Sequence, residues 1–214
     1  MASVVALIGD VVGSRTARDR LVLHERLDAA IARVNDSLAP LTPLRITVGD
    51  EYQGVFADLG TALRATLRLR CLLGAGEEPI DVRHGLGRGE VRVLGEEPRV
   101  EDGSAWWAAR EAIETVETLQ RRPMSRSLRT AYAIGAEASD PAGPAVNAAL
   151  TARDELVGAL DARGLSVLSD MLAGMSQEQI AARLSVSASA VSQRVRRGGI
   201  GTVVAVDRLL GELP

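Results

Sequence analysis

The sequence predicts an α+β domain with ferredoxin-like order, followed by a small all-α domain that contains a helix-turn-helix. In the N-terminal half, short β-branched runs and longer amphipathic stretches follow each other in the order βαββαβ. The segment GAEASDPAGP then interrupts this pattern, as a linker would. A capped helix, a tight turn and a basic helix follow. We therefore predict an α/β domain over residues 1–135, a linker and connector helix over 136–163, and a helix-turn-helix domain over 164–214.

The N-terminal elements can be justified in order. Residues 3–8 (SVVALI) form an apolar run typical of a buried strand, and residues 18–38 place leucines at helical spacing. Residues 44–48 and 54–56 flank the hexapeptide VGDEYQ as the two strands of a hairpin. Residues 59–73 predict a second helix, which ends at Gly74.

Two more strands are predicted at residues 80–86 and 89–93, and a further helix over 105–121. The order matches the split βαβ arrangement, in which a small sheet carries both of the first two helices on one face.

The C-terminal region carries the pattern of several short helices. Residues 147–163 predict a connector helix, and a first helix of the small domain ends at Gly174. Ser176 with Gln179 has the spacing of a capping box at the start of a second helix. A turn at Ser185-Val186-Ser187 leads to a third helix over residues 188–197.

Composition limits the possible classes of protein. The chain has 214 residues, of which 46% are hydrophobic and 25% charged, as in globular proteins. Because Cys71 is the single cysteine, neither an intrachain disulfide nor a cysteine-rich zinc site can form. No signal peptide or membrane span is recognisable, so we expect a cytoplasmic protein without membrane contacts. With a net charge of −3, contact with nucleic acid would require a local basic patch.

The third C-terminal helix provides such a patch. In a helix-turn-helix, the second helix of the motif enters the DNA major groove. The segment EQIAARLSVSASAVSQRVRRG resembles the helix-turn-helix of sigma-factor region 4 and of LuxR-type regulators. The candidate DNA-binding residues are Ser187, Ser189, Ser192, Gln193, Arg194, Arg196 and Arg197. The alternative is a helical hairpin with a solvated basic face that contacts protein.

Two aspartates follow predicted strands. Asp10 ends the first strand and Asp50 lies in the hairpin, so the two carboxylates would meet at one edge of the sheet. Hard oxygen ligands suit Mg²⁺ or Mn²⁺. The alternative is that both residues were selected only for turns and caps.

Four motifs occur in the same order as in class III nucleotidyl cyclases: VVALIGDVVGSR, VGDEYQGVF, DVRHGLGRGEV and DGSAWWAAREAIE. The second motif is also similar to the turn of diguanylate cyclases. Together with the helix-turn-helix, the whole chain resembles the SatD family of small bacterial proteins associated with stress and acid tolerance.

The resemblance implies roles for individual residues. Asp10 and Asp50 correspond to the metal-binding aspartates of the cyclases, and Arg110 to the arginine that stabilises the transition-state phosphate. Trp106 and Ile46 replace the residues that orient the ribose and read the purine, so those contacts are absent. A nucleotide site would include Gly13, Ser14, Gly49, Glu51, Gly87, Gly89 and Trp106.

Three hypotheses follow for the function. The first is a DNA-binding regulator, connected with stress response, whose cyclase-like domain senses a nucleotide or a metal. The second is a divergent nucleotidyl cyclase or nucleotidyltransferase that uses two metal ions, and the third is a protein-interaction module. A homodimer is implied by the resemblance, with DNA and a nucleotide as the other partners.

Overall fold

The computed structural model describes residues 3–14, 19–96 and 99–214. Its strands are β1 Val4–Val11, β2 Thr42–Ile46, β3 Tyr52–Phe56, β4 Val82–Gly89, β5 Arg92–Glu96, β6 Arg99–Asp102 and β7 Thr130–Ile134. Its α-helices are α1 Arg20–Leu38, α2 Leu59–Gly74, α3 Ser104–Leu119, α4 Gly143–Gly158, α5 Ala162–Leu172, α6 Gln177–Leu184, α7 Ala188–Arg197 and α8 Ile200–Leu210.

The main sheet has the strand order β2-β3-β1-β4-β7. Its first four strands pair antiparallel, and β7 adds to β4 in parallel at the edge. The order β4-β1-β3-β2 with helices in the two crossovers is the ferredoxin-like arrangement, so the predicted fold class is confirmed. Strand β7 was not predicted from the sequence pattern.

Alternate residues of β1 serve two different cores. Val5 and Leu7 pack with α1 and α2, whereas Ala6 and Ile8 pack with α3. Because successive side chains of a strand point to opposite faces, α3 must cover the face of the sheet opposite α1 and α2. The candidate site residue Arg110 extends from α3 to Glu51 in the β2–β3 hairpin loop.

One predicted strand does not belong to the main sheet. Residues 89–93 were expected to extend it, but β4 already continues to Gly89, and β5 pairs with β6 in a separate two-stranded ribbon. Both neighbouring positions of β4 are occupied by β1 and β7, which leaves no position for β5 beside it.

The hairpin loop begins earlier than predicted, because β2 ends at Ile46. The loop is closed by hydrogen bonds from Thr47 N to Glu51 O at 2.8 Å and from Glu51 N to Val48 O at 3.1 Å. Gly49 has a φ of +67°, a conformation that favours glycine. This turn fixes the position of the neighbouring Asp50.

The helix-turn-helix is formed as predicted. The capping box at Ser176 and Gln179 is present, and Ser185 adopts the left-handed conformation in the turn before α7. The helices of this part share a core with Leu67 and Cys71 of α2. They therefore pack directly against the α/β part, and α8, which was not predicted, contacts α4.

A buried polar pair lies beneath the sheet. The Tyr52 hydroxyl and His84 Nε2 are 2.7 Å apart, and both side chains are fully buried. Within the described ranges, His84 Nδ1 has no hydrogen-bond partner. Burial, together with the positive charges of Arg70 and Arg153, holds the pKa of His84 well below 6.5.

We expect the free energy of unfolding to fall as the pH drops below about 6.5, with a slope approaching about 1.4 kcal/mol per pH unit. The unfolded imidazole takes up a proton in this range while the folded one does not, so acid favours the unfolded state. Urea unfolding between pH 7 and 5 measures the slope, which should be flatter in His84→Gln. Because the chain has two histidines, the exposed His24 offers the matched control His24→Gln, which should retain the slope. Equal slopes in the two variants would contradict this assignment.

Candidate active site

Asp10 and Asp50 lie side by side at one edge of the sheet. Gly9 pairs with Tyr52 in the β1–β3 register, which brings the end of β1 next to the hairpin loop. The amide of Val11 donates to Asp50 Oδ2 at 3.2 Å. Burial raises the pKa of Asp10; the Arg83 guanidinium opposes this, and the charge of Asp50 adds to it. The predicted meeting of the two carboxylates is therefore present in the structure.

Arg83 is the direct partner of Asp10 and was not among the predicted site residues. Arg83 Nε donates to Asp10 Oδ1 at 2.6 Å and Nη2 to Oδ2 at 2.8 Å, a bidentate pair. The two residues are cross-strand neighbours in the β1–β4 register. Glu117 on α3 also contributes, with Oε2 3.8 Å from Arg83 Nη2. Strand register is the signal that would have identified the pair.

Arg110 extends from α3 towards the hairpin loop. Its Nη1 and Nη2 donate to the two carboxylate oxygens of Glu51 at 2.8 and 2.9 Å. The hydrogen bond to Glu51 is the main cause that raises the pKa of Arg110. Both side chains are partly exposed, at 46% and 28%. The ion pair is thus accessible to a ligand, and the assignment of Glu51 to a nucleotide site stays a prediction.

Asp10 and Asp50 offer a divalent cation two carboxylates of suitable chemistry. Among the described residues, no group of three or more histidine, cysteine or acidic side chains is arranged to hold a metal. Mg²⁺ commonly uses one or two protein carboxylates and takes its remaining ligands from water and substrate phosphates. Asp10 and Asp50 fit that mode, provided that Arg83 releases the oxygens of Asp10.

Gly87 and Gly89 have a different role from the predicted nucleotide contact. A Cβ on Gly87 would lie 2.1 Å from Ala105 O, and one on Gly89 would lie 2.6 Å from Ala105 N. Both glycines are buried in β4 beneath the backbone of α3. They permit close packing of this helix on the sheet and are not accessible to a nucleotide.

The remaining predicted nucleotide contacts do not form one site. Trp106 is only 8% exposed and packs in the core beneath α3, where its indole nitrogen has no partner among the described residues. Gly13 and Ser14 line a separate cleft together with Asp19 of the α1 cap. Gly49 shapes the hairpin turn. The structure therefore brings together Asp10, Asp50, Glu51 and Arg110, and adds Arg83 and Glu117.

The structure defines an α+β protein with a ferredoxin-like sheet, in which Asp10 and Asp50 lie at one edge. The chain belongs to the SatD family, whose family model matches residues 4–207. The resemblance drawn from the sequence motifs is thereby confirmed.

Solved structures similar to this chain include cyclase domains. A bacterial light-regulated adenylyl cyclase is 15% identical with a TM-score of 0.49, and the match covers 61% of this chain and 42% of that chain. The catalytic core of a rhodopsin-guanylyl cyclase with converted specificity, in complex with ATPαS, is 20% identical with a TM-score of 0.44, covering 53% and 72%. The guanylate cyclase domain from Catenaria anguillulae, in complex with GTP, is 18% identical with a TM-score of 0.44, covering 53% and 73%. No curated protein matches the chain.

The predictions of DNA binding and transcription regulation are wrong on these findings. The SatD family match extends over residues 4–207, so it includes the C-terminal helices together with the sheet. The structure gives a physical reason at the third helix. Ser187 caps α7 through Ala190 N, Arg194 pairs with Asp161 at 2.6 Å, and Val191 is buried in the core shared with α2.

The other predicted DNA contacts have no assigned role. Ser189, Gln193, Arg196 and Arg197 are exposed on α7, and Ser192 is partly buried. In the described ranges, no helix is both long and apolar enough to cross a membrane. The homodimer, the cytoplasmic location and the connection with stress response stay predictions.

Proposed function

We propose that the chain is a divergent, metal-dependent nucleotidyl cyclase or nucleotidyltransferase that acts on a nucleoside triphosphate. The observation that carries the proposal is the convergence of Asp10 and Asp50 at one edge of the sheet, with Arg110 of α3 beside them. An acidic pair for a metal and a permanently charged guanidinium for a phosphate are the groups that phosphoryl transfer requires.

In this proposal a hydroxyl oxygen attacks the α-phosphorus of the triphosphate. A new oxygen–phosphorus bond forms, the bond to the bridging oxygen of the β-phosphate breaks, pyrophosphate leaves, and the hydroxyl proton passes to water. Asp10 and Asp50 would hold the metal, which would neutralise phosphate charge and lower the pKa of the attacking hydroxyl. Arg110 exchanges Glu51 for phosphate oxygens, to which its planar guanidinium donates two parallel hydrogen bonds.

Two ion pairs must open for this reaction. The pair between Arg110 and Glu51 is partly exposed, and such pairs contribute at most about 1 kcal/mol, so its exchange costs little. The pair between Arg83 and Asp10 is more enclosed, with side-chain exposures of 15% and 24%. Arg83 therefore competes with a metal for Asp10. In the resting arrangement Arg83 neutralises the charge of Asp10.

The test is incubation of the protein with Mn²⁺ or Mg²⁺ and each nucleoside triphosphate, followed by chromatography for pyrophosphate and cyclic or linear nucleotide products. We expect product with at least one triphosphate, and at least about a hundredfold lower turnover in Asp50→Asn, since even changes outside the first ligand shell cost ten- to a hundredfold. Asp36→Asn, an exposed α1 position, is the matched control and should retain turnover. Absence of product with every triphosphate, or unchanged turnover in Asp50→Asn, would refute the proposal.

A second prediction concerns Arg83. We expect Arg83→Gln to bind Mn²⁺ about tenfold more tightly than the unaltered protein, because the change frees both oxygens of Asp10 and leaves two adjacent carboxylates without a counter-charge. Electron paramagnetic resonance of free Mn²⁺ measures the affinity. Arg88→Gln alters an arginine of the same strand with a similar exposure of 16%, and should have no effect. Equal Mn²⁺ affinity in Arg83→Gln and the unaltered protein would contradict the competition.

A further inference from the structure

A cleft of about 380 Å³ lies where the sheet part meets the helical part, and neither Asp10 nor Asp50 lines it. Its walls come from the end of α2, the start of β4, the loop before β7, and the ends of α4 and α5 that face each other. The volume is within the range of about 300–1,000 Å³ that small-molecule sites occupy. None of the residues proposed for nucleotidyl transfer lines it.

Positive charge predominates on this cleft. Three arginines line it, Arg70, Arg126 and Arg129, against the single carboxylate of Asp81. Arg129 is fully engaged, because its guanidinium pairs with Asp81 at 2.8 Å and also donates to the carbonyls of Arg126 and Leu128. Two guanidinium groups are left for a ligand.

Arg70 is the anchoring residue of the cleft. It is only 8% exposed, and Nη1 donates to Asp154 Oδ1 at 2.7 Å. Its other N–H groups have no protein partner in the ranges that the structure describes. Behind it, Arg153 shares the carboxylate of Asp154, so two buried guanidinium groups contact the same buried anion. A buried excess of positive charge next to a cleft favours an anionic ligand.

Arg126 and Ser127 complete a set of donors at the mouth of the cleft. Among the described residues, neither the Arg126 guanidinium nor the Ser127 hydroxyl makes a hydrogen bond. Ile80, Val157 and Leu165 also line the cleft and provide apolar surface. Two guanidinium groups and a hydroxyl can donate to the three terminal oxygens of a phosphate monoester, while the apolar surface accommodates its apolar part.

We infer that this cleft is a binding site for a small organic phosphate, with the phosphoryl group on Arg70, Arg126 and Ser127 and the organic group against Ile80, Val157 and Leu165. The site is independent of the proposed transfer reaction. It lies between α2, which belongs to the sheet part, and α5 of the helical part. A bound phosphate would therefore stabilise the contact between α2 and α5.

Isothermal titration of the full chain with phenyl phosphate, inorganic phosphate and benzoate tests the inference. We expect saturable binding of phenyl phosphate, weaker binding of inorganic phosphate because it lacks the apolar group, and weaker binding of benzoate because it lacks the third oxygen. Arg126→Gln should raise the Kd for phenyl phosphate about tenfold, equivalent to about 1.4 kcal/mol. Ser127→Ala should raise it by a smaller factor.

Arg122→Gln is the matched control, because Arg122 is an exposed arginine of the same loop that does not line the cleft. Its Kd should equal that of the unaltered protein. Both variants change exposed positions, so circular dichroism should find them folded. No saturable binding of phenyl phosphate, equal effects of Arg126→Gln and Arg122→Gln, or benzoate binding as tightly as phenyl phosphate would overturn the inference.

Discussion

Gly87→Ala is expected to lower the free energy of unfolding by at least about 3 kcal/mol, the upper end of typical overpacking costs. An added Cβ would lie 2.1 Å from Ala105 O and 2.2 Å from Ala109 N. These are backbone atoms of α3, so no side-chain rotation relieves the clash, and the helix must move away from β4. Since α3 also positions Arg110, the displacement should separate Arg110 from Glu51 as well. Urea unfolding measures the loss.

Gly201→Ala is the matched control for this substitution. Gly201 lies in α8, where a Cβ would meet only Val195 Cγ1 at the ordinary distance of 3.8 Å. Replacement of a helical glycine by alanine should stabilise the protein by about 0.4–1 kcal/mol. If Gly87→Ala unfolded within about 0.5 kcal/mol of the unaltered protein, α3 could not lie as close to the sheet as described.

The elements that were predicted correctly depend on local patterns. The β-branched run of β1, the helical spacing in α1 and α2, and the capping box at Ser176 are each contained in a few turns or one strand. The convergence of Asp10 and Asp50 was also predictable, because it follows from strand ends and the βαββ order.

The missed contacts depend on pairings between distant segments. Arg83 lies 73 residues from Asp10, and only the β1–β4 register places them opposite each other. The same limit explains the error at the third C-terminal helix. Asp161, the partner of Arg194, is 33 residues away, and the basic pattern of α7 alone does not reveal that one of its arginines is engaged.

The glycines of β4 belong to a recognised motif, but they pack against α3, whereas a nucleotide contact was predicted for Gly87 and Gly89. Gly85, Gly87 and Gly89 alternate along one face of the strand. In the sequence this pattern is equally typical of a phosphate loop and of a strand beneath a closely packed helix. The alanine-rich surface of α3 packs against these glycines, which identifies the strand beneath a helix as the correct interpretation. This helix lies in a different segment of the chain.

Asp154 connects three elements through contacts that are almost completely buried. Its Oδ1 accepts from Arg70 of α2 at 2.7 Å and from Arg153 of α4 at 3.1 Å, and its Oδ2 accepts from the amide of Arg129 at 2.7 Å. Arg153 is 1% exposed and also donates to Thr130 Oγ1 at 2.7 Å. The carboxylate is therefore the counter-charge for both buried guanidinium groups.

Asp154→Asn is expected to lower the free energy of unfolding by about 3–5 kcal/mol, the cost of leaving a buried charge without its partner. The size and shape of the side chain are kept, so the loss reports the charge and not a cavity. Urea unfolding provides the measurement, and Asp81→Asn the comparison. Asp81 is 45% exposed in its pair with Arg129, and exposed pairs contribute at most about 1 kcal/mol. Combining Asp154→Asn with Arg70→Met should recover part of the loss, because the second change removes one of the two uncompensated charges. Equal losses in Asp154→Asn and Asp81→Asn would mean that the buried guanidinium groups are neutralised in another way.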